Sequence, residues 1–272
     1  MKRILKIFVA FIAVILLLLV SVPYFFKDEI EELIKKEGNK MLNAEFDFGG
    51  LDISLIRNFP LASLTIEDFY LKGVGQFEND TLLSAGEVTA AVNVMSLFGD
   101  EGFDIRKFLL DNVSVTAVVL PDSTVNWDVM KDSGEEDDTE ESSSPFRIKL
   151  QELVIDNFGL VYDDRLGNMY ARIIGMDAEC SGDFGSSRTL LELVASINTL
   201  TFSMDGVPFI NNARIAADMN VDADLENNKF TLKENTIELN AIKAAVDGWV
   251  AMTDNGMEMA LRLNSNEIGF KE

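Results

Sequence analysis

Residues 153–160 read Leu-Val-Ile-Asp-Asn-Phe-Gly-Leu, two apolar alternations that change phase across the polar pair Asp156-Asn157. Successive side chains of a strand point to opposite faces, so Leu153 and Ile155 would face one way and Phe158 and Leu160 the other. One extra residue at the polar pair, a β-bulge, returns all four to one face and bends the strand. A tight two-residue hairpin at the same place does so too, and the residues alone leave both readings open. The pattern occurs three more times. Leu64 and Ile66 precede Phe69 and Leu71 across Glu67-Asp68; Phe108 and Leu110 precede Val113 and Val115 across Asp111-Asn112; Ile237 and Leu239 precede Ile242 and Ala244 across Asn240-Ala241. From Asp68 to Asn112 is 44 residues, from Asn112 to Asn157 is 45, and from Asn157 to Asn240 is 83, close to two such units.

Around these repeats the chain from Ala44 onward is written in short β segments separated by Gly, Asn, Asp and Ser, such as residues 115–120, 146–150 and 257–263. Residues 94–98 are the exception and suit a helical turn. A strand-only repeat of this length predicts a mainly β fold: a curved, elongated antiparallel sheet that grows sideways. An ordinary β-sandwich of similar strands fits the alternation equally well.

Residues 7–26 carry no charge, behind a start with Lys2, Arg3 and Lys6. At 1.5 Å per residue the run is about 30 Å long, a bilayer's hydrocarbon thickness. The basic flank predicts a cytoplasmic N-terminus and a translocated body. The run is longer than a signal peptide's apolar region and no small-residue cleavage site follows, so an uncleaved single-pass anchor is the expectation. Residues 27–43 then read as a short amphipathic helix, with Ile30, Leu33, Ile34, Met41 and Leu42 near one side and Gly38 weakening it. Residues 44–131 and 146–272 form the two β parts. Between them residues 132–145 are acidic and Ser-rich, have no apolar side chain, and read as a disordered loop whose removal costs little.

The composition removes whole classes of chemistry. The chain has no histidine and one cysteine, Cys180, so His-based triads, His metal sites and internal disulfides are out. The net charge is −23, and because the first 26 residues are basic, the rest carries −26. Nucleic acid would be repelled, and lipid contact beyond the anchor would have to be apolar. Asp163-Asp164-Arg165 reads as a hairpin turn, and Asp222 and Asp224 as the solvent face of a strand. The Gly-containing segments make no phosphate loop. The expectation is no enzyme, no cofactor and no metal.

The ordered blocks at residues 27–36, 51–60 (Leu-Asp-Ile-Ser-Leu-Ile-Arg-Asn-Phe-Pro), 64–69, 80–85, 94–98 and 125–131 (Val-Asn-Trp-Asp-Val-Met-Lys) resemble the N-terminal region of the AsmA family, in the order found in Bacteroidota-type members. The resemblance implies a gutter-shaped antiparallel sheet with an apolar concave face, tethered to the inner membrane and reaching into the periplasm. It also implies phospholipid as a partner, in transport towards the outer membrane or in outer-membrane biogenesis. Family members are usually longer than this chain. On that reading Leu64, Ile66, Phe69, Leu71, Val113, Val115, Ile155, Phe158 and Leu160 are the candidate lipid-contacting residues of the groove. They share one face if each polar pair is a bulge. The alternative is a structural or assembly factor that holds other envelope proteins at a sheet edge without carrying lipid.

Overall fold

The computed structural model describes residues 27–36, 38–58, 61–93, 103–131, 146–253 and 256–265. The expected membrane span at 7–26, the helical turn at 94–98 and the acidic insert 132–145 lie outside the described residues. No helix among the described residues is long and apolar enough to cross a membrane. Residues 27–36 and 38–41 are helical. The strands are β1 (Phe46–Asp47), β2 (Gly50–Asn58), β3 (Leu61–Lys72), β4 (Thr81–Asn93), β5 (Phe103–Asp111), β6 (Ser114–Val119), β7 (Phe146–Asp164), β8 (Met169–Ser181), β9 (Arg188–Met204), β10 (Val207–Asp224), β11 (Lys229–Leu239), β12 (Ile242–Thr253) and β13 (Gly256–Ser265).

All thirteen strands join one large curved sheet, so the sandwich reading is excluded. The expectation of a purely antiparallel sheet needs one correction. β5 and β6 both pair with β7 in parallel, from Phe103 opposite Phe146 to Val119 opposite Asp164. Parallel neighbours need a return connection of a dozen or more residues, and residues 120–145 supply it. The other pairings are antiparallel, among β1 to β6 and in a meander from β7 to β13.

The bulge-or-hairpin alternative resolves both ways. β3 runs straight through Asp68 and β7 through Asn157, while Asn112 is the break between β5 and β6, which keep one direction. The fourth site, Asn240-Ala241, is a two-residue hairpin between β11 and β12. One residue of each pair takes positive φ: the second at Asp68 and Asn112 (52°) and Asn157 (53°), and the first at Asn240 (53°). Asp and Asn tolerate that conformation through their short polar side chains. The irregularities also line up between strands. Asn157 Nδ2 donates to Asn112 Oδ1 at 2.6 Å, and Asn112 N donates to the Asp156 carbonyl at 3.0 Å. On β8 the matching position is Gly175 at φ 61°, where a Cβ would strike Asn198 of β9. A seam of left-handed residues therefore crosses the sheet, with a register shift beside Asn157 between β7 and β8. The 45-residue spacing is the parallel register itself: β5, β6 and β7 partners differ by 45 from Leu110–Ile155 to Val115–Leu160.

The main packed core lies at the β1 end. Ala44, Phe46, Phe48, Leu51, Leu71, Leu82 and Val129 form one buried cluster, with Ile30, Ile34 and Leu42 of the N-terminal segment packed on it. Gly38 has a packing role: a Cβ there would overlap the Phe46 ring, so glycine lets the helix approach. Leu33 and Met41, grouped with the inward residues by the helical wheel, are 54% and 58% exposed. Lys35 bridges Glu31 and Asp47 and lies 4.5 Å from the centroid of the Phe48 ring. Hydrogen bonds from Lys35, then from the backbone of Phe48, hold the Asp47 carboxyl below its ordinary range.

Candidate functional site: the apolar face

Register pairing shows which side chains share a face, because directly opposed residues point the same way. One row runs Ile66, Val88, Leu110, Ile155, Ala178, Ala195, Ala217, Ile237, Ala244. A second runs Leu71, Leu83, Val115, Leu160, Ile173, Leu200, Ala213. Between them lie Phe158, Met176, Ile197, Ile215, Leu239 and Ile242. No charged side chain stands in any of these rows. The left-handed residues of the seam make this possible, since regular alternation would turn each second apolar pair to the other side.

The sequence-derived candidates are all on this face, but not in one environment. Leu71 and Val113 are buried. Leu64, Ile66, Phe69 and Leu71 pack in or against the core cluster beneath the helix, and the Phe46 and Phe69 rings lie 6.2 Å apart. Ile66, Phe69 and Val113 line an apolar cavity of about 280 Å³ with Leu83, Ala85, Val88 and Leu110. Val115, Ile155, Phe158 and Leu160 sit further along and are partly exposed.

A strap covers part of the β1–β7 end. Asn126 is 1% exposed; its Oδ1 accepts from Val118 N at 2.8 Å and its Nδ2 donates to the Thr116 carbonyl at 2.7 Å. One amide thus satisfies backbone groups of β6 that have no further strand beside them among the described residues. Trp127 lies 6.3 Å from Tyr162, and Val129 enters the core. Residues 125–131 and the helix therefore close the apolar face near β1 to β6. Towards β13 it opens: Met204, Leu239, Ile242, Met252 and Leu263 are 41%, 38%, 39%, 55% and 65% exposed.

The other face is polar and acidic. Asp156, Asp177, Glu179, Asp218 and Glu238 line a depression of about 570 Å³, with Lys243 as its cation. Loss of solvation, then the neighbouring Asp177 and Asp111, push the Asp156 carboxyl up. No three of His, Cys, Asp and Glu gather in a metal-holding arrangement among the described residues. The turn expected at Asp163–Asn168 is present over residues 165–168, after Asp163 and Asp164 at the end of β7, with Asp164 Oδ1 accepting from Leu166 N and Gly167 N. Asp222 and Asp224 are on β10, and Asp222 meets Arg188 at 3.2 Å.

Sequence reasoning missed the apolar residues of β8 to β10, including Cys180, which pairs with Leu153 and Leu193 and so lies on the same face. Burial pushes its thiol pKa up. The signal was present as alternation from Leu191 to Ile197, but Leu190 and Val194, 58% and 59% exposed on the other face, blurred it. The family model that describes the AsmA family matches residues 1–238 of the chain. No curated protein matches it.

Proposed function

Because the chain belongs to the AsmA family, we propose that it is an envelope protein that carries phospholipid acyl chains along the apolar face of its sheet. The observation that carries this reading is an apolar face whose three rows between β3 and β12 hold no charged side chain, with no second layer over β8 to β13 among the described residues. The side chains on this face are mostly less exposed than those on the acidic face of the same strands, which supports a sheet curled towards its apolar side. That inner side is then a groove. Moving a sixteen-carbon chain from a bilayer into water costs on the order of 12 kcal/mol. A groove of Leu, Ile, Met, Phe and Ala removes most of that cost, and no catalytic residue is needed.

In this reading residues 7–26 hold the N-terminus in the inner membrane and the body lies in the periplasm, where it supports phospholipid transport and outer-membrane biogenesis. The acidic outer face keeps the body off anionic headgroups. The test is lipid extraction from the full chain purified in mild detergent, together with maleimide labelling of Cys180. Phospholipid should co-purify, and its removal should speed labelling several-fold. Absence of lipid, with labelling unchanged by added phospholipid, overturns the proposal.

A further inference from the structure

The two edges of the sheet are built differently. β2 loses register with β3 between Ser54 and Asn58, an irregularity of the kind that protects edges from pairing. β13 keeps one unbroken register with β12 from Gly256 to Ser265 and is exposed at all ten positions. It contains no lysine or proline, the usual edge guards. Among the described residues no strand pairs with its outer side. Its apolar side chains Met257, Met259, Leu261 and Leu263 are 55%, 52%, 41% and 65% exposed.

The order of residues in β13 is complementary to itself. Laid antiparallel against an identical strand with Ala260 at the centre, Met257 opposes Leu263, Met259 opposes Leu261, and Glu258 opposes Arg262, each twice. Opposite charges and apolar pairs directly across a ladder are the favourable combinations. Within its own sheet Glu258 stands opposite Ala251, and Arg262 opposite Asp247. A slip of one residue would set apolar against polar side chains. A slip of two would separate Glu258 from Arg262.

We infer that β13 is a dimerisation edge whose partner is β13 of a second copy of this chain. The two-fold axis runs through Ala260, perpendicular to the sheet, as isologous pairing requires. That axis keeps the apolar faces of both copies on one side and merges them into one surface. The inference does not depend on what that surface carries.

The test is the molar mass of the full chain in detergent, by light scattering across a concentration series. The unchanged chain should be a dimer. Glu258→Arg, which sets arginine against arginine at both ends of the joint, and Arg262→Glu, which sets glutamate against glutamate there, should each weaken the dimer at least tenfold. Mixing the two variants should restore it, because the mixed joint again pairs opposite charges. Should Arg262→Glu fail to fold beside Asp247, Met259→Lys takes its place as a dimer-weakening change without a restoring mixture. With Cys180→Ser, Ala260→Cys should give a disulfide between copies. An unchanged chain that is monomeric at every concentration overturns the inference. So does a dimer that Glu258→Arg and Met259→Lys leave intact.

Discussion

Leu51 and Leu239 both pair into the apolar face, yet truncating them should cost very different amounts. Leu51 opposes Ile66 and is 1% exposed within the core cluster. Leu→Ala removes about three carbons, or about 2.4 kcal/mol of transfer free energy. The enclosed space left behind adds a cavity term, for a total of about 3–4 kcal/mol. Leu239 opposes Ile215 and Ile242 and is 38% exposed. Its truncation forfeits only part of the transfer term and opens to solvent instead of leaving a void, so about 1–1.5 kcal/mol is expected. Urea unfolding of the full chain in detergent measures both. Trp127, beside Tyr162 at the covered end, and Trp249, on β12, report by fluorescence. Costs within about 0.5 kcal/mol of each other, at unchanged denaturant slopes, would refute the division into a sealed end and an open one.

Phe158→Asp should leave the chain folded and cut co-purified phospholipid several-fold, whereas Phe46→Asp, in the core, should cost several kcal/mol and abolish folding. A Phe158→Asp chain that does not fold would mean that the face is sealed there too. Asn157→Ala should lose about 1–2 kcal/mol, because alanine resists φ 53° and leaves Asn112 Oδ1 without its donor; Asn157→Gly should lose less. Equal melting temperatures for the two would show that backbone conformation is not why asparagine is there. Deletion of residues 135–144 should destabilise the fold, while a Gly/Ser replacement of the same length should not. The connection from Val119 to Phe146 must return along β7, nineteen residues or about 60 Å. A deletion variant that melts with the parent would show that the return path is shorter than this.

The insert shows what sequence could and could not tell. Its composition predicts no packed structure, and from composition alone its removal looked free. The parallel joint reverses that expectation, because length now matters where identity does not. Parallel pairing was not legible, since β5 and β7 carry the same alternation whichever way they run. The 45-residue spacing did hold the information, as a register offset. The shared face of the nine candidate residues was legible from the phase change alone. The cover over Leu64 to Leu71 was not, because it comes from residues far away in sequence: Ile30, Ile34 and Val129. The block at residues 125–131 was recognisable as a string, but only the fold explains it, through the Asn126 amide that closes a backbone edge.

Among the described residues the sheet is one layer thick and covered at one end only, which distributes its stability as a gradient. Each of β8 to β12 pairs with two neighbours and β13, again among the described residues, with one, so the free energies there accumulate as in a linear array. Opening should begin at β13 and travel inwards like a zip, one strand at a time. It should halt at β7, which is paired in parallel on one side and lies beside the capped core. Amide exchange would then grade from fast in β13 to slow in β3, a profile of local opening set by position along the sheet. The pliable strands are those that a bulky, variable guest would have to displace, while the root that holds them stays rigid.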